Sequence, residues 1–438
     1  MKSINHSSFL KNSYGIFRLR YVWQEYGNIV ISIFCILLSG LIFEKRSAGE
    51  FLTGVLSSTY WIRLGILVIG AGILATHVKR VRFPHNISLT GYTGCVVLAV
   101  LSLMWSTSAL TTFGKLIPVV LALIIVSIRS RKDRNSGDGI SLVWCVVPFM
   151  MVVVLIATIG FLLQIPGFST ESTGGFITAV VGKHSTAPFI SGNSVGYFSG
   201  CLLCIFTACR VAKTIRMTRW LLLCIVFGTC LVCSGSRTSF AMTIVTAIFL
   251  YVKANSSSFK KIIFFLAICM CYLSWEHILY FMQGNSPDKA FYSLSGRTIL
   301  WEYALSTFQQ HPYIGFGAGI GTRVLIQNVT AIGFDEDISS IHNSFFEMLL
   351  DLGIFGALFW TISIVSSLCI VTRNFSRKGE IDYICSGIII YCCGIGLMTS
   401  NLAFSSLNCL NFLYLITIAR HSNQGFRTYP KIDYNKLY

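Results

Sequence analysis

About twelve stretches of this chain are apolar for long enough to cross a bilayer, and that feature decides its fold class. A spanning helix needs roughly 17–25 predominantly apolar residues. The runs have approximate cores at 28–43, 60–77, 91–109, 113–128, 143–164, 190–209, 220–233, 238–252, 262–281, 344–371, 383–399 and 404–419. Inside hydrocarbon every backbone polar group must be satisfied internally, which leaves helices or closed barrels. Barrel strands alternate apolar and polar residues, and these runs do not. The expectation is an all-α polytopic membrane protein of about twelve transmembrane helices, forming one membrane domain over 1–438. No internal repeat or Gly/Ser linker divides it. The first run has no convincing small-residue cleavage site and is followed soon by a second, so it reads as a membrane helix and not a signal peptide.

Composition agrees. Charged residues are 12% of the chain, against about a quarter in soluble domains. The net charge of +17 suggests nucleic acid until its distribution is seen. With the N-terminus inside, 25 of the 34 Lys and Arg residues fall on inner segments, including Lys2, Lys79, Arg129, Arg210, Lys260, Arg377 and Arg420. That is the positive-inside pattern of a multi-pass protein with both termini cytoplasmic. It is a consequence of insertion and implies no nucleic-acid partner. The sixteen cysteines lie in or beside apolar spans. They read as small apolar residues. Cys201 and Cys204 form a CxxC without a second pair, so neither a disulfide framework nor a zinc site is expected.

Two outer loops exceed a connector, at about 165–189 and 282–343, and long loops are where function concentrates. The topology rule leaves nine outer basic residues unexplained, among them Arg237 and Arg297. Arg237 lies in SGSRTS, at the outer start of a helix, where free N–H groups and the helix dipole favour an anion. Ser234 or Ser236 could cap that helix. The bland alternative is an arginine snorkelling to the interface.

Residues 293–321 read SLSGRTILWEYALSTFQQHPYIGFGAGIG. Ser295 caps a helix running to about Gln310, which Pro312 ends. Arg297, Trp301, Ala304 and Phe308 share one face, as in an amphipathic helix lying on the outer membrane surface. Arg297 at its first turn is either an anion ligand or a solvated charge beside a Trp anchor. Gly315, Gly317, Gly319 and Gly321 lack the strand that a dinucleotide loop requires; a tight backbone turn approaching a substrate is expected instead.

His342 stands at the outer start of another inward-running helix, where the dipole disfavours imidazolium. A neutral histidine can take a proton from a hydroxyl nucleophile, although a structural role is equally open for it. Glu347 and Asp351 follow on one face. They either line an acceptor sugar path or pair with Arg237 or Arg297. Asp335, Glu336 and Asp337 form a DxD pattern that reads as a solvated acidic loop.

Three segments thus occur in order: SGSRTS, GRTILWEYALSTFQQHPYIGFGAGIG and HNSFFEMLLDLGIFGALF. Together they resemble the O-antigen ligase-like and O-antigen polymerase superfamily of bacterial inner-membrane proteins, closely over roughly 230–365. The twelve-span layout and FISGNSVGY around Asn193 extend the likeness more loosely. The resemblance implies a metal-independent, inverting glycosyltransferase of the membrane C-type, with no cofactor. Its donor would be a glycan on undecaprenyl diphosphate, used at the periplasmic face. It assigns Arg237 and Arg297 to the diphosphate and His342 to the acceptor hydroxyl. Ser236, Trp301, Gly315, Gly317, Asn343 and Glu347 would surround the substrate. Lys183, His184, His311 and Arg323 are second-tier candidates.

The family divides into polymerases, which extend a lipid-linked glycan, and ligases, which move the finished glycan to lipid A–core. The SGRT-x-LW form looks more like a polysaccharide polymerase. Implied partners are the lipid-linked acceptor, the bilayer, a chain-length regulator and a flippase. A transporter or flippase remains the competing class, but transporters commonly show repeated halves and midplane charges. Here the notable polar residues gather at the outer edge.

Overall fold

The structure, a computed structural model, describes residues 30–38, 58–75, 86–127, 142–171, 183–254, 297–331, 341–374, 379–403 and 408–421. Its helices are α1 (30–38), α2 (Ser58–Ala75), α3 (Ile87–Leu101), α4 (Ala109–Ser127), α5 (Val143–Leu162), α6 (Gly192–Val211), α7 (Met217–Cys233), α8 (Arg237–Ala254), α9 (Arg297–Phe308), α10 (Gly321–Ala331), α11 (Ser344–Arg373), α12 (Glu380–Met398) and α13 (Cys409–His421). Eleven of the twelve apolar runs coincide with one of these helices. The run at 262–281 lies outside the described residues, as do Ser295 and the acidic stretch Asp335–Asp337.

Among the described residues, six helices are long and apolar enough to cross a membrane by length and composition: 87–104, 109–127, 143–162, 192–211, 344–373 and 380–398. Shorter apolar helices cover 61–75, 217–233 and 409–419. Large apolar side chains stay exposed on their outer faces, including Val152, Ile159, Leu222, Ile225, Leu358 and Val365. A soluble fold would bury so much apolar surface; hydrocarbon needs no such cover. The protein is an all-α polytopic membrane protein. Its one small sheet among the described residues is a hairpin in the 165–189 loop. There β1 (Ser169–Glu171) pairs antiparallel with β2 (Lys183–Ser185), Ser169 opposite Ser185.

Small residues set the packing, as expected where lipid removes the hydrophobic drive between helices. On α3, Gly91 lets the backbone approach α11 so closely that a Cβ there would meet the Phe359 carbonyl oxygen at 2.8 Å. The same contact carries a Ser88–Ser366 hydroxyl pair at 2.8 Å. Near the centre, Gly196 and Gly200 form a GxxxG pair on α6. Gly196 receives Ser234 and Ser236, and Gly200 receives Tyr391 and Thr243. The Tyr391 hydroxyl donates to the Tyr197 carbonyl at 3.0 Å, tying α12 to α6. The fourteen cysteines among the described residues are free and mostly buried.

Among the described residues, helix ends meet at two opposite ends of the bundle. At one end the 102–108 turn meets the glycine segment, where Ala318 N–H donates to Ser102 Oγ at 3.0 Å. There also Ser344 Oγ donates to the Thr399 carbonyl at 2.7 Å. At the other end Asn86 Nδ2 donates to the Ile418 carbonyl, and Lys253 Nζ to Ser386 Oγ.

Two details depart from the sequence reading. The run 91–109 is helical only to Leu101; a 3-10 turn, Ser102–Met104, follows, and α4 starts at Ala109. Ser102 Oγ turns back onto the Ala99 carbonyl at 2.7 Å, and Ser106 Oγ pairs with Thr112 Oγ1. These hydroxyls compete with the helical ladder. The run 344–371 is likewise not one unbroken helix. Gly353 sits at φ 66, ψ −163, inside α11. The part beyond this break, 354–373, is ~30 Å long, enough to span a bilayer by itself. The segment 344–352 is thereby released to build one end of the bundle.

Candidate functional site

The N-terminal start of α11 is assembled around one asparagine. Asn343 is extended, and its Oδ1 accepts from the N–H groups of Phe345 at 2.9 Å and Phe346 at 3.3 Å. This satisfies two of the orphan donors of a helix N-terminus. Its Nδ2 donates to the Leu397 carbonyl at 3.0 Å, so the cap is also a strut to the end of α12. Ser344 adds a second tie, donating to Thr399 and accepting from Leu402 N–H at 3.1 Å. Asn343 therefore spends both ends of its amide on holding its neighbour His342.

His342 is half-buried with φ +54, one of three left-handed non-glycine residues among those described. That conformation is uncommon for a residue with a side chain, and such outliers cluster at functional positions. Glu347 follows in the first turn of α11, almost fully buried, where a carboxylate favours the helix dipole.

The helix α9 lies against this start. Trp301 Nε1 donates to the Ile341 carbonyl at 3.2 Å, and its ring stacks on Phe346 at 5.6 Å and 28°. Leu300, Ala304, Ile320, Leu325, Val329, Ile341 and Leu350 make a small core shared by α9, α10 and the outer part of α11. The apolar face of α9 thus packs on protein, with Ala304 fully buried and Trp301 and Phe308 half-buried. Arg297 is the first residue of α9, one turn before Trp301.

The glycine segment 312–321 fills the break in α11. The Leu350 carbonyl, which an intact helix would give to Ile354, accepts from Phe316 N–H at 2.9 Å. The Asp351 carbonyl accepts from Gly317 N–H at 2.9 Å, and Ile354 N–H donates to the Pro312 carbonyl at 2.9 Å. The loop supplies the bonds that the helix forgoes. Gly315, at φ +67, faces this backbone so closely that a Cβ would meet the Asp351 carbonyl carbon at 2.5 Å. Both Gly315 and Gly317 are buried, and their turn closes on the protein itself, Gly315 on α11 and Gly317 on Ser106 of the 102–108 turn.

The Asp351 side chain completes the join. Oδ2 accepts from Gly319 N–H at 2.7 Å and Oδ1 from Gly321 N–H at 2.9 Å. Gly321 opens α10, so the carboxylate also lies at a helix N-terminus. At the next peptide along, Lys115 Nζ from α4 donates to the Gly319 carbonyl at 2.9 Å. Thr112 Oγ1 donates to the Ala318 carbonyl at 3.0 Å. Sequence reasoning left the role of Asp351 open between a sugar path and an arginine partner, and gave Lys115 no role. Their meeting depends on residues more than 200 positions apart, and no local pattern reports it.

Arg237 is the half-buried first residue of α8. Before it, Gly235 at φ 67 turns the chain, and Ser236 N–H donates to Ser234 Oγ at 3.3 Å. The buried Ser236 hydroxyl pairs with Ser239 at 2.8 Å, and its carbonyl accepts from Phe240 N–H at 3.1 Å. The turn rests on Gly196 of α6. Met242 packs on Gly394 and Leu250 on Gly387, so α8 and α12 run antiparallel. Stepping five residues back from Met242, and five on from Gly394, sets Arg237 level with Thr399, to within about one turn at 1.5 Å per residue. Thr399 is the residue to which Ser344 is bonded. The start of α8 and the start of α11 therefore both lie toward the end of α12.

The second-tier residues scatter. Lys183 is exposed on β2, and His184 pairs across the hairpin with Thr170. His311 is exposed, with its ring edge-on to Phe316 at 4.7 Å. Arg323 is buried in the first turn of α10, its guanidinium 3.5 Å from Thr111 Oγ1.

Residues 221–361 match a family model described as O-Antigen ligase. The matched stretch is less than half of the chain, and it contains Arg237, Arg297, the glycine segment, His342 and the break in α11. No curated protein matches the sequence. The match supports an O-antigen ligase/polymerase-like superfamily for this chain.

Proposed function

We propose, from the premise that this chain is of the O-antigen ligase/polymerase-like superfamily, that it is a bacterial inner-membrane polysaccharide polymerase. It would transfer a glycan from undecaprenyl diphosphate to the non-reducing end of a lipid-linked repeat unit at the periplasmic face. One observation carries the reading. The three residues suited to this chemistry lie at one end of the helical bundle, within the matched segment: Arg237 and Arg297 each open a helix, and His342 stands at the start of a third.

The chemistry follows from the residue types. The acceptor hydroxyl oxygen attacks the anomeric carbon. The bond from that carbon to the diphosphate oxygen breaks, its electron pair leaves with the diphosphate, and the hydroxyl proton passes to His342. Arg237 and Arg297 stabilise the charge growing on the diphosphate. A leaving group neutralised in this way needs no protonation by a second carboxylic acid, unlike in most glycosidases. One direct displacement inverts the anomeric centre. Asn343 and Trp301 hold the base and the α9 arginine in place, while Ser236 and Gly315 and Gly317 shape the turns around them.

The description of the matching family favours a second reading, a ligase that hands the glycan to lipid A–core. A deletion strain separates the two: single-repeat glycans on the core indicate a polymerase, and complete loss of attached glycan indicates a ligase. Transfer itself is tested with purified lipid-linked glycan in detergent and no ion gradient. His342→Ala should abolish product while donor binding persists, and Arg237→Ala should weaken donor binding. Full activity of either variant defeats its assigned role, and no product from the wild type with any defined donor and acceptor returns the chain to the transporter class.

A further inference from the structure

Asp351 is fully buried, yet it has no place in the displacement chemistry. Its two carboxylate oxygens are each used on a backbone N–H, of Gly319 and of Gly321. Lys115 holds the carbonyl of the same residue, Gly319. This is an expensive arrangement to keep in an apolar setting, since a buried carboxylate is tolerated only when well paired. What it secures is the seat of the outer loop.

The helix α9 is held on the outer part of α11 at two places. Toward its start, Trp301 is bonded to the Ile341 carbonyl and stacked on Phe346. Past its end, the chain is bonded to Leu350, Asp351 and Ile354 through Phe316, Gly317 and Pro312. The second attachment works only while 315–321 keeps the left-handed turns at Gly315, Gly317 and Gly319. Asp351 and Lys115 bind the last of these and the start of α10.

We propose that Asp351 is a positioning residue, with Lys115 as its counterpart: by gripping the Gly319 and Gly321 amides it seats the outer loop in the break of α11, and so sets the first turn of α9, which carries Arg297, beside His342. Because α9 is short and anchored at both ends, slackening at the loop tilts the arginine end relative to the histidine. The inference rests on the transferase reading for its catalytic consequence, and on the hydrogen bonds alone for its structural one.

The test uses the full-length protein in nanodiscs, with undecaprenyl-diphosphate-linked glycan as donor. Asp351→Asn places an amide N–H₂ against one of the two backbone donors and breaks the grip with little change in size. The expected result is a fall in kcat of tenfold or more per folded molecule, with the donor KM within threefold of wild type and the melting temperature nearly unchanged. Lys115→Met should move kcat in the same direction by less, and serves if Asp351→Asn does not fold. Hydrogen exchange supplies the independent arm: amides of 297–308 and 315–321 should exchange faster in both variants. Unchanged kcat in Asp351→Asn overturns the proposal, and so does a large rise in KM at constant kcat, which would make Asp351 a substrate ligand. A wild-type protein without transfer activity defeats the transferase reading instead. Exchange at α9 then decides the seating by itself, and wild-type exchange in the variants overturns it.

Discussion

Replacing Gly353 by alanine sets two hydrogen-bonding schemes for α11 in direct competition. In the native scheme Gly353 holds φ 66 and ψ −163, and the outer loop bonds to Leu350, Asp351 and Ile354. A Cβ at this position would run into the Tyr313 carbonyl group. That region of backbone space is essentially open to glycine only, and a side chain there costs about 1–3 kcal/mol. In the competing scheme residue 353 turns helical, Ile354 N–H returns to the Leu350 carbonyl, and the loop is expelled. Alanine favours that helix over glycine by about 1 kcal/mol. The substitution therefore biases the segment toward the straight helix by about 2–4 kcal/mol before the clash with Tyr313 is counted, or some 30- to 1,000-fold at 1.4 kcal/mol per decade. The assay is amide exchange at Phe316 and Gly317, followed by mass spectrometry in nanodiscs, with transfer activity measured in parallel. Protection at both amides should fall by at least thirtyfold, and transfer should fall with it. Wild-type protection together with wild-type transfer in Gly353→Ala would refute the reasoning, because the loop could then not depend on the break.

Asn343→Ala removes an N-cap worth about 1 kcal/mol and frees the α12 strut; a lower melting temperature and reduced turnover per folded molecule should appear together in thermal-shift and transfer assays. Gly196→Val forces a side chain into Ser234 and Ser236. Overpacking of this kind costs about 1–3 kcal/mol, and displacing the Arg237 turn should raise the donor KM more than it lowers kcat in steady-state assays. Trp301→Phe keeps the stack on Phe346 but deletes the bond to Ile341. A loss of about 0.5–1.5 kcal/mol is expected in unfolding, with activity falling between wild type and Trp301→Ala.

Much of this protein is determined by composition along the chain. Spanning runs are a property of local sequence, because hydrocarbon forces each segment to satisfy its own backbone. Eleven of the twelve are helices in the structure for that reason, and the ordered segments around Arg237, Arg297 and His342 fall within the family match. The face of α9 with Trp301 and Ala304 was legible from helical spacing, but the surface it meets was not: periodicity shows that a face is apolar, never what covers it. Only the tertiary structure decided that the covering is α11 together with α10. It also decided that the run 344–371 is broken at Gly353, and that the glycine turn is docked in this break under Asp351 and Lys115. A glycine in an apolar helix looks the same whether the helix is straight or opened. The choice lies with hydrogen bonds offered by a loop some thirty residues away and a lysine two hundred residues away, and partners that distant leave no periodic mark on the sequence.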